Sequence, residues 1–134
     1  MTETIVRVRD VMRPDYIMID GMETVGDALK KMAAANAEMA VVDKRDEDDE
    51  YGVLLLVNIV DEILSPNRPA DRINVYEVMK KPVLTVRAGM NIRYCARLFS
   101  SFRLLMAPVV SNDKLVGTVS YRELAYGTSM LPGG

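Results

Sequence analysis

The chain contains no histidine. That removes the side chain most used as a proton shuttle near neutral pH, along with Ser-His and Cys-His nucleophile pairs and histidine metal sites. It has one cysteine, Cys95, so an internal disulfide is excluded. This fits a reducing compartment. There is no long hydrophobic run: the longest strongly apolar stretch, Val53–Val57, falls far below the roughly 20 residues that span a bilayer. The first residues, Met1–Arg7, lack a continuous apolar segment, so no secretory leader is expected and the cytoplasm is the expected location. A P-loop and a G-x-G-x-x-G are both missing. So is a basic stripe: Lys30-Lys31 and Lys80-Lys81 are isolated doublets in a chain of net charge −2. Neither nucleic acid nor a membrane is therefore an expected partner. With no nucleophile pair and no paired carboxylates, the chain reads as a binding protein rather than an enzyme.

What is present is ordinary globular composition, 49% hydrophobic and 27% charged over 134 residues. A chain of this size can bury a stable core. It also repeats itself. Asp10-Val11-Met12 returns as Glu77-Val78-Met79, a shift of 67. The same shift lays Val25-x-x-Ala28-Leu29-x-x-Met32 on Ile92-x-x-Cys95-Ala96-x-x-Phe99, and Met39–Val42 on Met106–Val109. The shift then drops to 65, because the loop Lys44–Glu50 is two residues longer than its counterpart. Gly52 matches Gly117, and Asn58-Ile59 matches Glu123-Leu124.

Each copy predicts the same elements. Tyr16–Ile19 and Val83–Val86 are short β-branched or apolar runs, hence strands. Val25, Ala28, Leu29 and Met32 sit at i, i+3, i+4 and i+7, one buried helix face, and Ile92, Cys95, Ala96 and Phe99 repeat the spacing. Thr24 and Asn91 suit the N-cap. Met39–Val42 and Met106–Val110 read as buried strands. Polar turns follow at Lys44–Glu50 and Ser111–Lys114, then hairpin partners at Gly52–Leu56 and Val116–Ser120. Short helices close the copies near Ile59–Leu64 and Arg122–Tyr126. The predicted unit is β-α-β-β-α, twice, in an α/β (α+β) fold. The expected division is a first repeat at 6–64, a linker at 65–74, a second repeat at 75–127 and a frayed tail at 128–134. Pro66 and Pro69 bar a continuous helix across the linker.

These elements, with Val11-Met12, Val78-Met79, Pro82–Val86, Ala107–Val110 and Gly117-Thr-Val-Ser120-x-x-Glu123, resemble a pair of CBS domains, the tandem repeats named after cystathionine β-synthase. The resemblance runs from about Val6 to Tyr126, and a stand-alone pair without an attached catalytic or membrane domain is expected. It implies a pseudo-two-fold arrangement with two clefts between the repeats. It also implies a regulatory role, adenosine-containing ligands (AMP, ADP, ATP or S-adenosylmethionine) rather than a fixed cofactor, a homodimer, and a partner protein that reads ligand-induced change.

Carried onto this chain, the resemblance assigns one cleft to the second repeat. Leu84-Thr85-Val86 supplies the extended segment, Ala107-Pro108 the apolar wall and Ser120 the hydroxyl. Glu123 stands at the position of the ribose-binding aspartate, one methylene longer. Arg122 is a phosphate candidate, as are Arg13, Arg103 and Arg68 or Arg72. The other cleft is depleted: Met18 stands at the Thr85 position, Ala40 on the wall, Leu55 for the hydroxyl and Asn58 for the carboxylate. Asn58 lacks the charge that strengthens a bond to a ribose hydroxyl. The alternative reading is a ligand-free dimeric interaction module. Outside these clefts, Asp46–Glu50 lacks the glycine and spacing of an EF-hand and reads as a solvated hairpin loop. Cys95 and most of the ten methionines read as core filler.

Overall fold

The computed structural model describes residues 4–81 and 83–132. Pro82, Met1–Glu3 and the last two glycines, which fall in the expected extended segment, N-terminus and tail, lie outside the described residues.

The chain packs as two compact units. A middle unit is Tyr16–Val83, and a terminal unit joins Met1–Asp15 to Leu84–Gly134. In the middle unit, β1 (Met18–Ile19) leads to α2 (Val25–Ala34), β2 (Met39–Val42) and β3 (Gly52–Leu55), and then α3 (Leu56–Ile59) runs into a π-helical turn, Val60–Leu64. A 3₁₀ turn at Ala70–Arg72 and the short α4 (Val75–Val78) complete it. The terminal unit begins with α1 (Val8–Val11) and resumes at β4 (Val86–Arg87). It continues through α5 (Ile92–Phe102), β5 (Met106–Ser111), β6 (Lys114–Ser120) and α6 (Tyr121–Gly127) to a 3₁₀ turn at Thr128–Met130.

Each unit holds a three-stranded sheet in chain order, its first pair parallel and its second antiparallel. The predicted β-α-β-β-α order is therefore present twice. The first strands are shorter than their apolar runs: only Met18–Ile19 and Val86–Arg87 pair.

The N-caps form as read. Thr24 accepts from the Asp27 N–H at 3.1 Å and Asn91 from the Arg93 N–H at 2.9 Å. Ile92, Cys95 and Phe99 are buried on α5, but Ala96 is exposed. The expected four-residue face is narrower than its spacing suggests, because it centres on Cys95 and Phe99 and leaves Ala96 on its edge. The tail is ordered further than expected: Leu131 packs against the terminal unit's core.

What sets the units apart from the repeats is the segment ahead of each first strand. Arg13 exchanges backbone hydrogen bonds with Thr118 at 2.8 and 2.9 Å, and Lys80 does the same with Val53 at 2.9 and 3.0 Å. Each bond pair requires the entering segment to pass over a glycine. A Cβ on Gly117 would lie 2.5 Å from the Arg13 carbonyl oxygen, and one on Gly52 would lie 3.2 Å from that of Lys80. The N-terminal segment thereby serves the sheet of the second repeat, and the segment after the linker serves the sheet of the first.

Candidate functional site

Alternation along a strand decides which side chains each sheet offers. In the terminal unit Val86, Ala107, Val109 and Val119 point into the core. Val86 and Ala107 are 0% exposed, so only their backbone is available to a ligand. The opposite face carries the residues between them. Val86 pairs with Val109, so Thr85 and Pro108 precede that pair side by side, and Pro108 pairs with Thr118. Ser120 lies two residues further along the same strand and face. Three hydroxyl residues, Thr85, Thr118 and Ser120, thus surround Pro108. Thr85 and Leu84 are exposed, whereas Pro108, Thr118 and Ser120 are buried. Thr118 was not among the sequence candidates. Its signal was its position two residues before Ser120 on a strand.

At the end of β6 the chain turns into α6 through a capping box. The Ser120 N–H donates to Glu123 Oε1 at 2.8 Å, and the Arg122 N–H donates to Ser120 Oγ at 3.1 Å. Glu123 is thereby fixed at the corner beside Ser120. Among the described residues its second carboxylate oxygen takes no hydrogen bond. Arg122 projects into solvent from the first turn of α6. Of the other arginines, Arg13 is anchored by its backbone to Thr118 and pairs with Asp15 at 3.3 Å. Arg103 is the exposed left-handed residue that ends α5. Arg68, whose guanidinium donates to the Glu62 carbonyl at 3.1 Å, and Arg72 both belong to the middle unit.

The middle unit builds the same corner from different residues. The Leu55 N–H donates to Asn58 Oδ1 at 3.2 Å, but Leu55 has no side-chain oxygen to complete the box. Ala40, Val42 and Leu54 face the core. The other face holds Met18, Val41, Val53 and Leu55, at the positions of Thr85, Pro108, Thr118 and Ser120. All three hydroxyls are replaced by apolar side chains.

A separate cavity of about 790 Å³ opens beside the long hairpin loop of the middle unit, lined by residues that include Asp20, Asp43, Arg45, Asp49, Tyr76 and Lys81. None of the sequence candidates lines it. Asp49 organises that loop. Its carboxylate binds Lys81 and, at 3.3 Å, Arg45 Nε. The hydrogen bond from Lys81 and the backbone N–H groups of Arg45 and Glu50 hold its pKa far below the ordinary range. Among the described residues no group of three or more acidic or cysteine side chains is placed to hold a metal ion. Cys95 is buried, and burial pushes its thiol up to about 11. Among the described residues no helix is long and apolar enough to cross a membrane.

Comparison with known proteins places this geometry. The chain is 25% identical over 120 residues to an uncharacterised protein of Methanopyrus kandleri and 30% identical over 101 residues to one of Methanocaldococcus jannaschii. These alignments cover 89% and 75% of the chain but only 61% and 32% of the relatives, so it spans less than two thirds of either. A hexameric CBS-CP12 protein from bloom-forming cyanobacteria superimposes with a TM-score of 0.91 at 28% identity, over 95% of this chain and 74% of that one. The CBS-domain pair of the protein MJ0100, solved with 5′-methylthioadenosine and S-adenosyl-L-methionine, shares the fold with a TM-score of 0.80 at 19% identity, over 95% of this chain and 98% of that one. Residues 8–65 and 75–127 each match the CBS domain, and the chain belongs to that family.

Proposed function

We propose that the protein is a cytoplasmic regulatory module that self-associates and binds an adenosine-containing ligand at the β6–α6 corner of its terminal unit. CBS-domain pairs are regulatory modules, and one neighbour of the same fold was solved with two adenosine compounds. A protein similar over most of this chain is hexameric. The observation that carries the ligand reading is the pairing of the Glu123 carboxylate with Ser120, beside the hydroxyls of Thr85 and Thr118. A carboxylate there accepts from both hydroxyls of a ribose, and a charged acceptor makes the stronger bond. Val86 and Ala107 contribute backbone to the adenine, the exposed Leu84 contributes apolar surface, Pro108 being fully buried, and Arg122 meets a phosphate. In the middle unit Met18, Val53 and Leu55 offer no hydrogen bond. That corner, with Ala40 and Asn58, is the weaker or ligand-free one.

Titration calorimetry of ligand-stripped protein with AMP, ADP, ATP and S-adenosylmethionine tests this. Saturable binding near one site per chain is expected, lost in Glu123→Ala and retained in Asn58→Ala. Glu123→Gln keeps the helix cap while removing the charge, and should weaken binding at least tenfold. No heat with any of the four compounds would leave the protein an interaction module without this class of ligand.

A further inference from the structure

The cavity beside the long hairpin loop lies wholly within the middle unit and shares no residue with the β6–α6 corner. It opens at the carboxyl ends of the parallel strands β1 and β2, the side on which α/β sheets usually hold their ligands. Ile19 pairs with Val42, and both turn into the core. The next residue of each strand, Asp20 and Asp43, turns the other way and lines the cavity. One oxygen of each carboxylate is used locally. Asp20 Oδ1 accepts from the Met22 N–H and Asp43 Oδ1 from the Lys44 N–H, both at 2.8 Å. Among the described residues neither forms an ion pair.

The loop side of the lining carries the opposite charge. Arg45 spends its Nε on Asp49, and Lys81 takes the other oxygen of that carboxylate. The two Nη groups of Arg45 make no hydrogen bond among the described residues. Tyr76 and Met22, 51% and 71% exposed, add aromatic and thioether surface. That wall is braced: the Tyr76 N–H donates to the Gly21 carbonyl at 2.9 Å, and the Val75 N–H to the Glu23 carbonyl at 2.8 Å. The terminal unit has no such lining. At the shift of 67, Asp20, Asp43, Tyr76 and Lys81 answer to Arg87, Val110, Arg9 and Pro14. One copy of the fold stands without these residues, so the fold does not demand them.

Charge balance selects the occupant. The lining holds three carboxylates, Asp20, Asp43 and Asp49, and three bases, Lys44, Arg45 and Lys81. A simple anion would face the carboxylates, and a simple cation the bases. A small molecule carrying both charges satisfies both. The volume of about 790 Å³ suits an organic molecule rather than an inorganic ion. We propose that this cavity binds a free α-amino acid with an apolar or aromatic side chain. Its ammonium meets Asp20 and Asp43, its carboxylate takes the Nη pair of Arg45, and its side chain lies on Tyr76 and Met22. Binding here is independent of the adenosine corner.

Titration calorimetry of the full chain with L-phenylalanine, L-tyrosine, L-methionine and L-leucine tests this, with circular dichroism to confirm that variants fold. At least one should bind saturably, at one site per chain. N-acetylation and C-terminal amidation of that amino acid should each weaken binding at least tenfold. Asp20→Asn combined with Asp43→Asn keeps both local acceptors but removes the charge, and Arg45→Gln removes the guanidinium; each should also cost at least tenfold. Glu123→Ala should leave the affinity unchanged. No saturable heat with any of the four at millimolar concentration would overturn the proposal, as would blocked forms that bind as well as the free amino acid. Binding that survives the aspartate variants but is lost in Glu123→Ala would overturn this site.

Discussion

Where the terminal unit sets Thr85, Thr118 and Ser120 around Pro108, the middle unit sets Met18, Val53 and Leu55 around Val41. The core-facing positions of the same strands hardly differ: Ala40 and Val42 stand where Ala107 and Val109 do. Interior packing at near-crystalline density holds core positions to similar volumes. The opposite face is buried too at Val41, Val53, Pro108, Thr118 and Ser120, yet one unit carries hydrogen-bonding side chains there and the other apolar ones. The hairpins diverge in the same way. Asn112 and Asp113, both left-handed with φ of 51° and 63°, close the terminal unit's turn in two residues. The middle unit uses a longer loop tied together by Asp49.

The sharpest way to break the equivalence of the units is at their shared glycines. Gly117→Ala should cost about 2–3 kcal/mol, on the order of 10 °C in Tm, because its Cβ meets a backbone carbonyl that cannot move aside. Gly52→Ala should cost about 1 kcal/mol, since the nearest atom at 3.0 Å is the Met79 sulfur, the end of a flexible side chain. Equal losses in thermal unfolding would show that the entering segments do not pack as described.

The caps come next. Ser120→Ala removes a hydroxyl acceptor that Leu55 never supplied, and should lose about 1 kcal/mol in urea unfolding. Ser120→Thr should retain most of it. A loss no greater in Ala than in Thr would count against the capping box.

Helix α5 is capped by the left-handed Arg103, φ of 53°, and α2 is followed, one residue beyond its cap Ala35, by the left-handed Asn36, φ of 51°. Asparagine tolerates that conformation better than arginine. Arg103→Gly should therefore stabilise by roughly 0.5–1 kcal/mol and Asn36→Gly by only a few tenths.

The smallest expected effect is confined to acid. The folded pKa of Asp49 lies below its ordinary 3.8, so its contribution is complete above that value and is lost as pH falls below it. Between pH 5 and pH 3 the urea midpoint of wild type should fall further than that of Asp49→Asn. Identical acid limbs would remove Asp49 as an organiser of the loop.

The repeat itself decided much of this protein. A hydrophobic period of 3.6 followed by continuous apolar runs, met twice at a fixed shift, sufficed for the β-α-β-β-α order and for the caps at Thr24 and Asn91, because these depend on local geometry. Ser120 and Glu123 were singled out by the resemblance to CBS domains, and the structure joins them as a helix cap. Only the tertiary structure decided that Val86 and Ala107 turn inward while Thr118 joins the hydroxyl face, because strand register fixes which side each residue takes. It alone showed that residues 4–15 complete the second repeat's sheet and 70–81 pack with the first. Contacts between segments far apart in the chain are chosen by the free energy of the folded whole, and leave no periodicity in the chain.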